Sequence, residues 1–181
     1  MRLFIAAELP TEVHEALCET SALLRDAVRG RYVPTTNFHV TLAFLGEVPG
    51  SQVVDVVTAL EEGCAGQPPI KVALGPLGSF GKKRRATLWQ GFATGVDELG
   101  GLAGDVRECL VDHGLNYDPS LFVPHVTLMR VADLTEGTLP MPVVEKGTID
   151  TVTLFSSDLS GPAPRYEPLH RTQLEGEPDP Q

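Results

Sequence analysis

The 181-residue chain is poor in cysteine, in aromatic residues and in positive charge. Its three cysteines, Cys18, Cys64 and Cys109, are odd in number, widely spaced and without a C-x-x-C pair. That argues against a disulfide framework and against a cysteine zinc site, and predicts reduced, mostly buried thiols. No apolar run is long enough to cross a bilayer as a helix, so no membrane partner is expected. The opening MRLFIAAELP holds an apolar patch too short for a signal peptide and interrupted by Glu8, which makes the cytoplasm the expected compartment. Aromatics are only 6% of the chain, leaving few side chains to spare for base stacking. A formal net charge of −10 speaks against binding long duplexes. It does not speak against holding one phosphate group. Four of the fourteen Lys and Arg are concentrated in Lys82-Lys83-Arg84-Arg85, a run that reads equally as a solvated loop or as an electrostatic landing site.

What the chain does have is an orderly alternation of elements. Residues 2–9 read as a buried strand, and Thr11 opens an amphipathic helix over 12–29 that Gly30 ends. Residues 38–45 alternate and read as a strand, and a second helix covers 51–63. Strands at 70–75 and 86–93 flank the basic run, followed by a helix over 96–113 and strands at 123–130, 148–156 and 165–174. The segment GPLGSFG at 75–81 lacks the closing Gly-Lys-Ser/Thr of a P-loop and reads as a turn before the basic run. Residues 1–174 are expected to form a single domain of two fused lobes, with 175–181 a disordered acidic tail. We expect an acidic monomer.

The tetrapeptide His-Val-Thr-Leu occurs twice, at 39–42 in NFHVTLAFLG and at 125–128 in LFVPHVTLMR. Each copy follows a strand and an amphipathic helix, so the layout is duplicated with an offset of 86 residues. That period is too long for a solenoid and predicts an α+β fold of two pseudo-symmetric lobes. On a strand, residues i and i+2 share a face. His39 therefore projects with Thr41, and His125 with Thr127, while the Val and Leu point into a core. Pseudo-twofold symmetry would bring the two pairs across a cleft, placing two near-neutral titrating groups among hydroxyl donors. This suits in-line attack at a phosphodiester, with one imidazole as base, the other as acid and the hydroxyls on non-bridging oxygens. No metal or other cofactor is required by that scheme. Symmetry alone does not say which histidine is the acid. With ~0.4 His-x-Thr matches expected by chance, one copy would be an ordinary strand histidine; two identical copies at matching places are not.

These motifs, with the opening RLFIAAELP and the closing RYEPLHRTQL, resemble the 2H phosphoesterases, and within them the RNA 2′,3′-cyclic phosphodiesterase (bacterial 2′–5′ RNA ligase) family. The resemblance covers about residues 2–174. It implies antiparallel sheets with outer helices, the His-x-Thr motifs facing across a central cleft, and metal-independent opening of an RNA 2′,3′-cyclic phosphate to a 2′-phosphate, with related reversible 2′–5′ joining. By motif it makes His39 the proton donor and His125 the proton acceptor, with Thr41 and Thr127 holding the phosphate. The partners implied are RNA ends or nucleotides bearing a 2′,3′-cyclic phosphate.

Two departures stand out. Many relatives carry a Lys where this chain has Ala43, which by alternation shares the face of His39 and Thr41. Arg130 matches the basic residue after the second motif, but strict alternation puts it opposite His125, so it needs a strand end or a bulge to reach a ligand. Of the other histidines, His14 is expected in solvent, His113 at a helix C-terminus and His170 at the surface. Phe44, Trp89, Tyr117, Phe122 and Tyr166 are all candidates for base stacking. Competing functions are the same chemistry on a small cyclic phosphate such as ADP-ribose 1″,2″-cyclic phosphate, and a non-catalytic nucleotide-phosphate binding module. A metallohydrolase ranks last, for want of clustered ligand spacing.

Overall fold

The computed structural model describes residues 1–178 and Pro180. Its elements are β1 (Arg2–Ala7), α1 (Thr11–Arg25), β2 (Arg29–Tyr32), β3 (Val40–Glu47), α2 (Val53–Cys64), β4 (Ile70–Phe80), β5 (Ala86–Thr94), α3 (Val96–Asp112), β6 (His125–Asp133), β7 (Lys146–Ile149), β8 (Thr151–Asp158) and β9 (Arg165–Gln173). They form two antiparallel sheets, in the order β3-β1-β8-β9 and β2-β6-β5-β4-β7. Each sheet draws strands from both halves of the chain. The duplicated lobes are therefore interleaved: β8 and β9 complete the first-half sheet, and β2 and β4 complete the second-half sheet. The apolar faces of the helices supply Leu17, Leu24, Leu60, Leu99, Val106 and Leu110 to a core with both sheets, all 0% exposed.

Three differences from the sequence expectations have local causes. The helix expected over 12–29 ends at Arg25, because Arg29–Tyr32 is captured as an edge strand by β6. Gly30 permits that approach, since a Cβ there would press on Ala132 Cα and the Val131 carbonyl. The strand expected at 148–156 is two strands in different sheets, β7 on β4 and β8 on β1. Finally, GPLGSFG is mostly strand. β4 runs to Phe80, and its glycines make room for a side chain: a Cβ on Gly78 would lie inside the Trp89 ring.

At the C-terminus, Leu174 N–H donates to the Asp150 carbonyl (2.7 Å) and Gly176 N–H to the Gln67 carbonyl (2.9 Å). Of the 175–181 tail expected to be disordered, Asp179 and Gln181 lie outside the described residues.

Candidate active site

The two motifs are built alike, down to one shared irregularity. In β3, Ile5 pairs with Ala43 and Ala6 with Thr41, so Leu42 is an extra residue opposite β1. In β6, Leu88 pairs with Met129 and Trp89 with Thr127, so Leu128 is the extra residue opposite β5. Both are β-bulges at the last residue of His-Val-Thr-Leu, and each inverts the alternation beyond it. Each freed carbonyl has a dedicated donor. Arg107 Nε–H reaches the Leu42 oxygen (2.9 Å), and Val33 N–H reaches the Leu128 oxygen (2.9 Å).

The inversion corrects one expectation and supplies what another lacked. Ala43 does not share the face of His39; it is fully buried on the core side. A lysine missing at 43 is therefore not a cation missing from the cleft face. Met129 is buried in the same way, and Arg130 turns to the side of His125 and Thr127, where it lines the cleft. The position equivalent to Arg130 in the first lobe is Phe44, whose ring carries the Arg2 guanidinium 4.8 Å from its centroid.

β3 and β6 meet where the two sheets converge, and His39, Thr41, His125, Thr127 and Arg130 all line one cavity of about 450 Å³ there. A second chamber of about 270 Å³ continues from it past His39, Thr41, Arg130 and Tyr166 to Arg2, Phe4 and Phe44. Both histidines are oriented by the carbonyl two residues before them. His39 Nδ1–H donates to the Asn37 oxygen (2.7 Å), and His125 Nδ1–H donates to the Val123 oxygen (2.6 Å). Because a carbonyl only accepts, Nδ1 carries the proton in both rings, which leaves Nε2 of each neutral imidazole as a free base. The Thr41 hydroxyl lies 3.0 Å from His39 Nε2. Packing fixes the ring planes: Phe4 and Tyr166 lie 4.9 and 5.5 Å from His39, Phe80 and Trp89 lie 5.1 and 5.6 Å from His125.

Burial holds both histidines below their ordinary range. Desolvation pushes His39 down to about 4, opposed by its hydrogen bond to Asn37 and assisted by the charges of His125 and Arg130. His125 is lowered as well, chiefly by burial and also by Arg130. In the ligand-free protein at neutral pH the pair is therefore neutral. An anion in the cleft favours the protonated form, so that an imidazole takes up from solvent the proton that an acid needs.

Several cleft residues escaped the sequence reasoning. Arg31 on β2, Phe80 at the end of β4, and Asn37 line the cavity, as do Pro162 and Pro164 of the β8–β9 hairpin. Asn37 Nδ2–H donates to the Pro164 carbonyl (2.8 Å), so the residue that orients His39 also pins that hairpin over the cleft. Phe80 belongs to GPLGSFG and Asn37 opens NFHVTLAFLG, which could have drawn attention to both; nothing local marks Arg31. Among the aromatic candidates, Tyr166 borders both chambers and Phe44 the second, whereas Tyr117 and Phe122 lie under Arg107 and Trp89 stands behind His125. His14 is not solvated: its Nε2–H donates to the Thr35 carbonyl (2.8 Å), because α1 packs beside the turn that leads into His39. His113 and His170 lie 2.8 and 3.0 Å from Glu62 and Glu61 of α2.

Comparison with known proteins agrees with this architecture. Residues 8–89 match the family described as LigT-like phosphoesterase. The Escherichia coli protein named RNA 2′,3′-cyclic phosphodiesterase is 32% identical over 175 residues, covering 96% of either chain. A Geobacillus stearothermophilus protein of the same name is 28% identical over 97% of this chain, and the chain spans only 58% of that protein's length. The crystal structure of E. coli LigT complexed with 3′-AMP superposes with a TM-score of 0.80 at 30% identity, covering 96% of this chain and 97% of that one. With this similarity running through both lobes, the chain belongs to the LigT-like phosphoesterase family.

Proposed function

We propose that the protein opens RNA 2′,3′-cyclic phosphate ends to 2′-phosphomonoesters by metal-independent acid–base catalysis between His39 and His125. The observation that carries this reading is the pair of equivalent Nδ1–H bonds to the carbonyls of Asn37 and Val123. They leave two imidazole Nε2 atoms for proton transfer in one cavity that also holds two threonines and an arginine. His125 Nε2 takes a proton from the attacking water as its oxygen bonds to phosphorus. The P–O3′ bond breaks, and protonated His39 passes its Nε2 proton to O3′. The product is a 2′-phosphate and a free 3′-hydroxyl. Thr41, Thr127 and Arg130 hold the non-bridging oxygens as negative charge grows on them. With a 5′-hydroxyl in place of water, the same step joins two ends through a 2′–5′ bond as P–O3′ breaks, and its reversal cleaves that bond. The acting unit in this reading is one cytoplasmic monomer with residues 1–174 as its single domain.

The test is a short RNA ending in 2′,3′-cyclic phosphate, incubated with excess EDTA, with the regiochemistry of the product determined. Wild type should form the 2′-phosphate alone. His39→Ala and His125→Ala should each lose at least ~10³-fold in kcat, and Thr41→Val or Thr127→Val about 10- to 100-fold. Equal tolerance of all four changes, or turnover abolished by EDTA, would refute the assignment.

A further inference from the structure

The basic run at 82–85 has no part in the chemistry above, and its structural setting is unusual. Seven of the fourteen Lys and Arg, namely Arg29, Arg31, Lys82, Lys83, Arg84, Arg85 and Arg130, gather at one corner of the larger sheet, on edge strand β2, on its neighbour β6 and on the β4–β5 turn that packs against β6. β2 is the edge strand, with Arg29 opposite Asp133 and Arg31 opposite Arg130 on β6. The extra residue in that ladder lies on β6, so Arg29 and Arg31 keep one face of β2. The 82–85 turn is stitched to the far end of β6, with Leu134 N–H donating to the Lys83 carbonyl (2.7 Å). Arg84 and Arg29 both act on Asp133, whose carboxyl is held below its usual range chiefly by hydrogen bonds from Thr135. A continuous path thus runs from the cleft, over Arg130 and Arg31, to Arg29 and the turn, passing Phe80, which is 40% exposed at the cavity wall.

These cations are not employed by the fold. Among the described residues, none of the seven has a carboxylate within 4.0 Å or makes a side-chain hydrogen bond. Of the other seven, Arg165 and Arg171 pair with Asp158 and Glu8, Arg2, Arg25 and Arg107 lie over aromatic rings, and Lys71 and Lys146 stand apart from the cleft beside Pro10 and Glu12. The turn itself is closed by backbone alone, from Arg85 N–H to the Lys82 carbonyl (2.9 Å). Like charges side by side repel, so four of them on a turn that needs none of their side chains point to an anionic partner. An exposed aromatic at the head of a cationic track is the arrangement that binds single-stranded nucleic acid.

We propose that the corner formed by Arg29, Arg31 and the Lys82–Arg85 turn holds the phosphate backbone of single-stranded RNA whose end occupies the cleft, making a polynucleotide end the preferred substrate over a mononucleotide. This rests on the catalytic reading above and adds to it a binding surface for the nucleotides that precede the reacting end. The test replaces all four turn residues by serine (Lys82→Ser, Lys83→Ser, Arg84→Ser, Arg85→Ser), which leaves the closing backbone bonds in place. kcat/KM is measured for an RNA of roughly ten nucleotides ending in 2′,3′-cyclic phosphate and for a mononucleoside 2′,3′-cyclic phosphate. The wild-type preference for the RNA should fall at least ~10-fold, with the mononucleoside rate within about twofold of wild type. Fluorescence anisotropy with the same RNA ending in a 3′-hydroxyl supplies a second readout, in which the salt dependence of log K should lose about 2 to 3 in slope. An unchanged preference, or a parallel loss on both substrates, overturns the proposal. If wild type opens neither substrate, the catalytic reading fails by itself. The anisotropy then decides: RNA binding undiminished in the variant overturns the track, and weakened binding with a reduced salt slope upholds it.

Discussion

At the scale of single residues, the proposed chemistry needs one of two neutral imidazoles, His39, to take up a proton when a ligand is bound while His125 stays neutral. Water and peptide dipoles that would solvate an imidazolium are largely removed around His39, which is why its ionisation lies at about 4. kcat/KM follows the ionisations of the free protein. With both histidines shifted down, the singly protonated pair is most abundant on the acidic side of pH 6.5 and falls about tenfold per pH unit above it. We therefore predict that kcat/KM for cyclic-phosphate opening declines across pH 7 to 9, while kcat, read in the bound complex, holds to higher pH. A buffer series at constant ionic strength that gave a flat kcat/KM over that range would contradict this assignment. The roles of Arg31 and Asn37 were not legible from the chain: Arg31 stands near no motif, and Asn37, although two residues before His39, acts through a carbonyl and an amide whose partners only the turn before β3 and the β8–β9 hairpin supply.

At the scale of elements, the matched bulges at Leu42 and Leu128 set the composition of the cleft walls. Each moves one residue out of the alternating count, so that Phe44 and Arg130 replace Ala43 and Met129 on the working face. The support behind His125 is equally specific. Trp89 lies across Gly78 of β4 and stacks towards Phe80, so glycine at 78 is required by the indole rather than by a turn. Gly78→Ala should force the indole off His125 at a cost of about 1 to 3 kcal/mol, read as a lower urea midpoint with an unchanged slope. Trp89→Phe combined with Gly78→Ala should recover part of that loss, because the smaller ring leaves room for the methyl group. The duplication itself was legible as strand, helix and motif repeated at one offset. That β4 and β8 change sides was not, since strand pairing is a property of distant partners.

For the whole molecule, charge is segregated. The three helices carry eleven of the twenty-four carboxylates, five of them on α3, and none of the helices lines either cleft chamber. Seven of the cations left free gather on the cleft side, while Lys71 and Lys146 stand together elsewhere, beside Pro10 and Glu12. Such a field repels anions from the back and draws them to the mouth, so a net charge of −10 coexists with an anion-binding face. Folding stability carries the same signature as the site. His39 titrates near 6.5 in the unfolded chain and at about 4 in the folded one, so between these values the unfolded state binds more protons. Stability should therefore fall as pH drops from 6.5 to 4, by at most ~3 kcal/mol from this group, with His125 adding in the same direction. His39→Gln should flatten that fall in urea midpoints measured at pH 7 and pH 4.5; an identical slope in wild type and variant would contradict it.

The chain by itself determined the elements that carry the chemistry. A period of two places His and Thr on one face of a strand and Val and Leu on the other, and that rule acts within four residues, so it can be read locally. Two identical tetrapeptides in matching surroundings then imply a twofold site. Only the tertiary structure decided what else faces the cleft. A bulge arises when two strands of unequal count are paired, so the fates of Ala43, Phe44, Met129 and Arg130 depended on β1 and β5. The path from Arg130 to the basic turn likewise exists only because β2, β4 and β6 bring residues some fifty positions apart to one corner of a sheet.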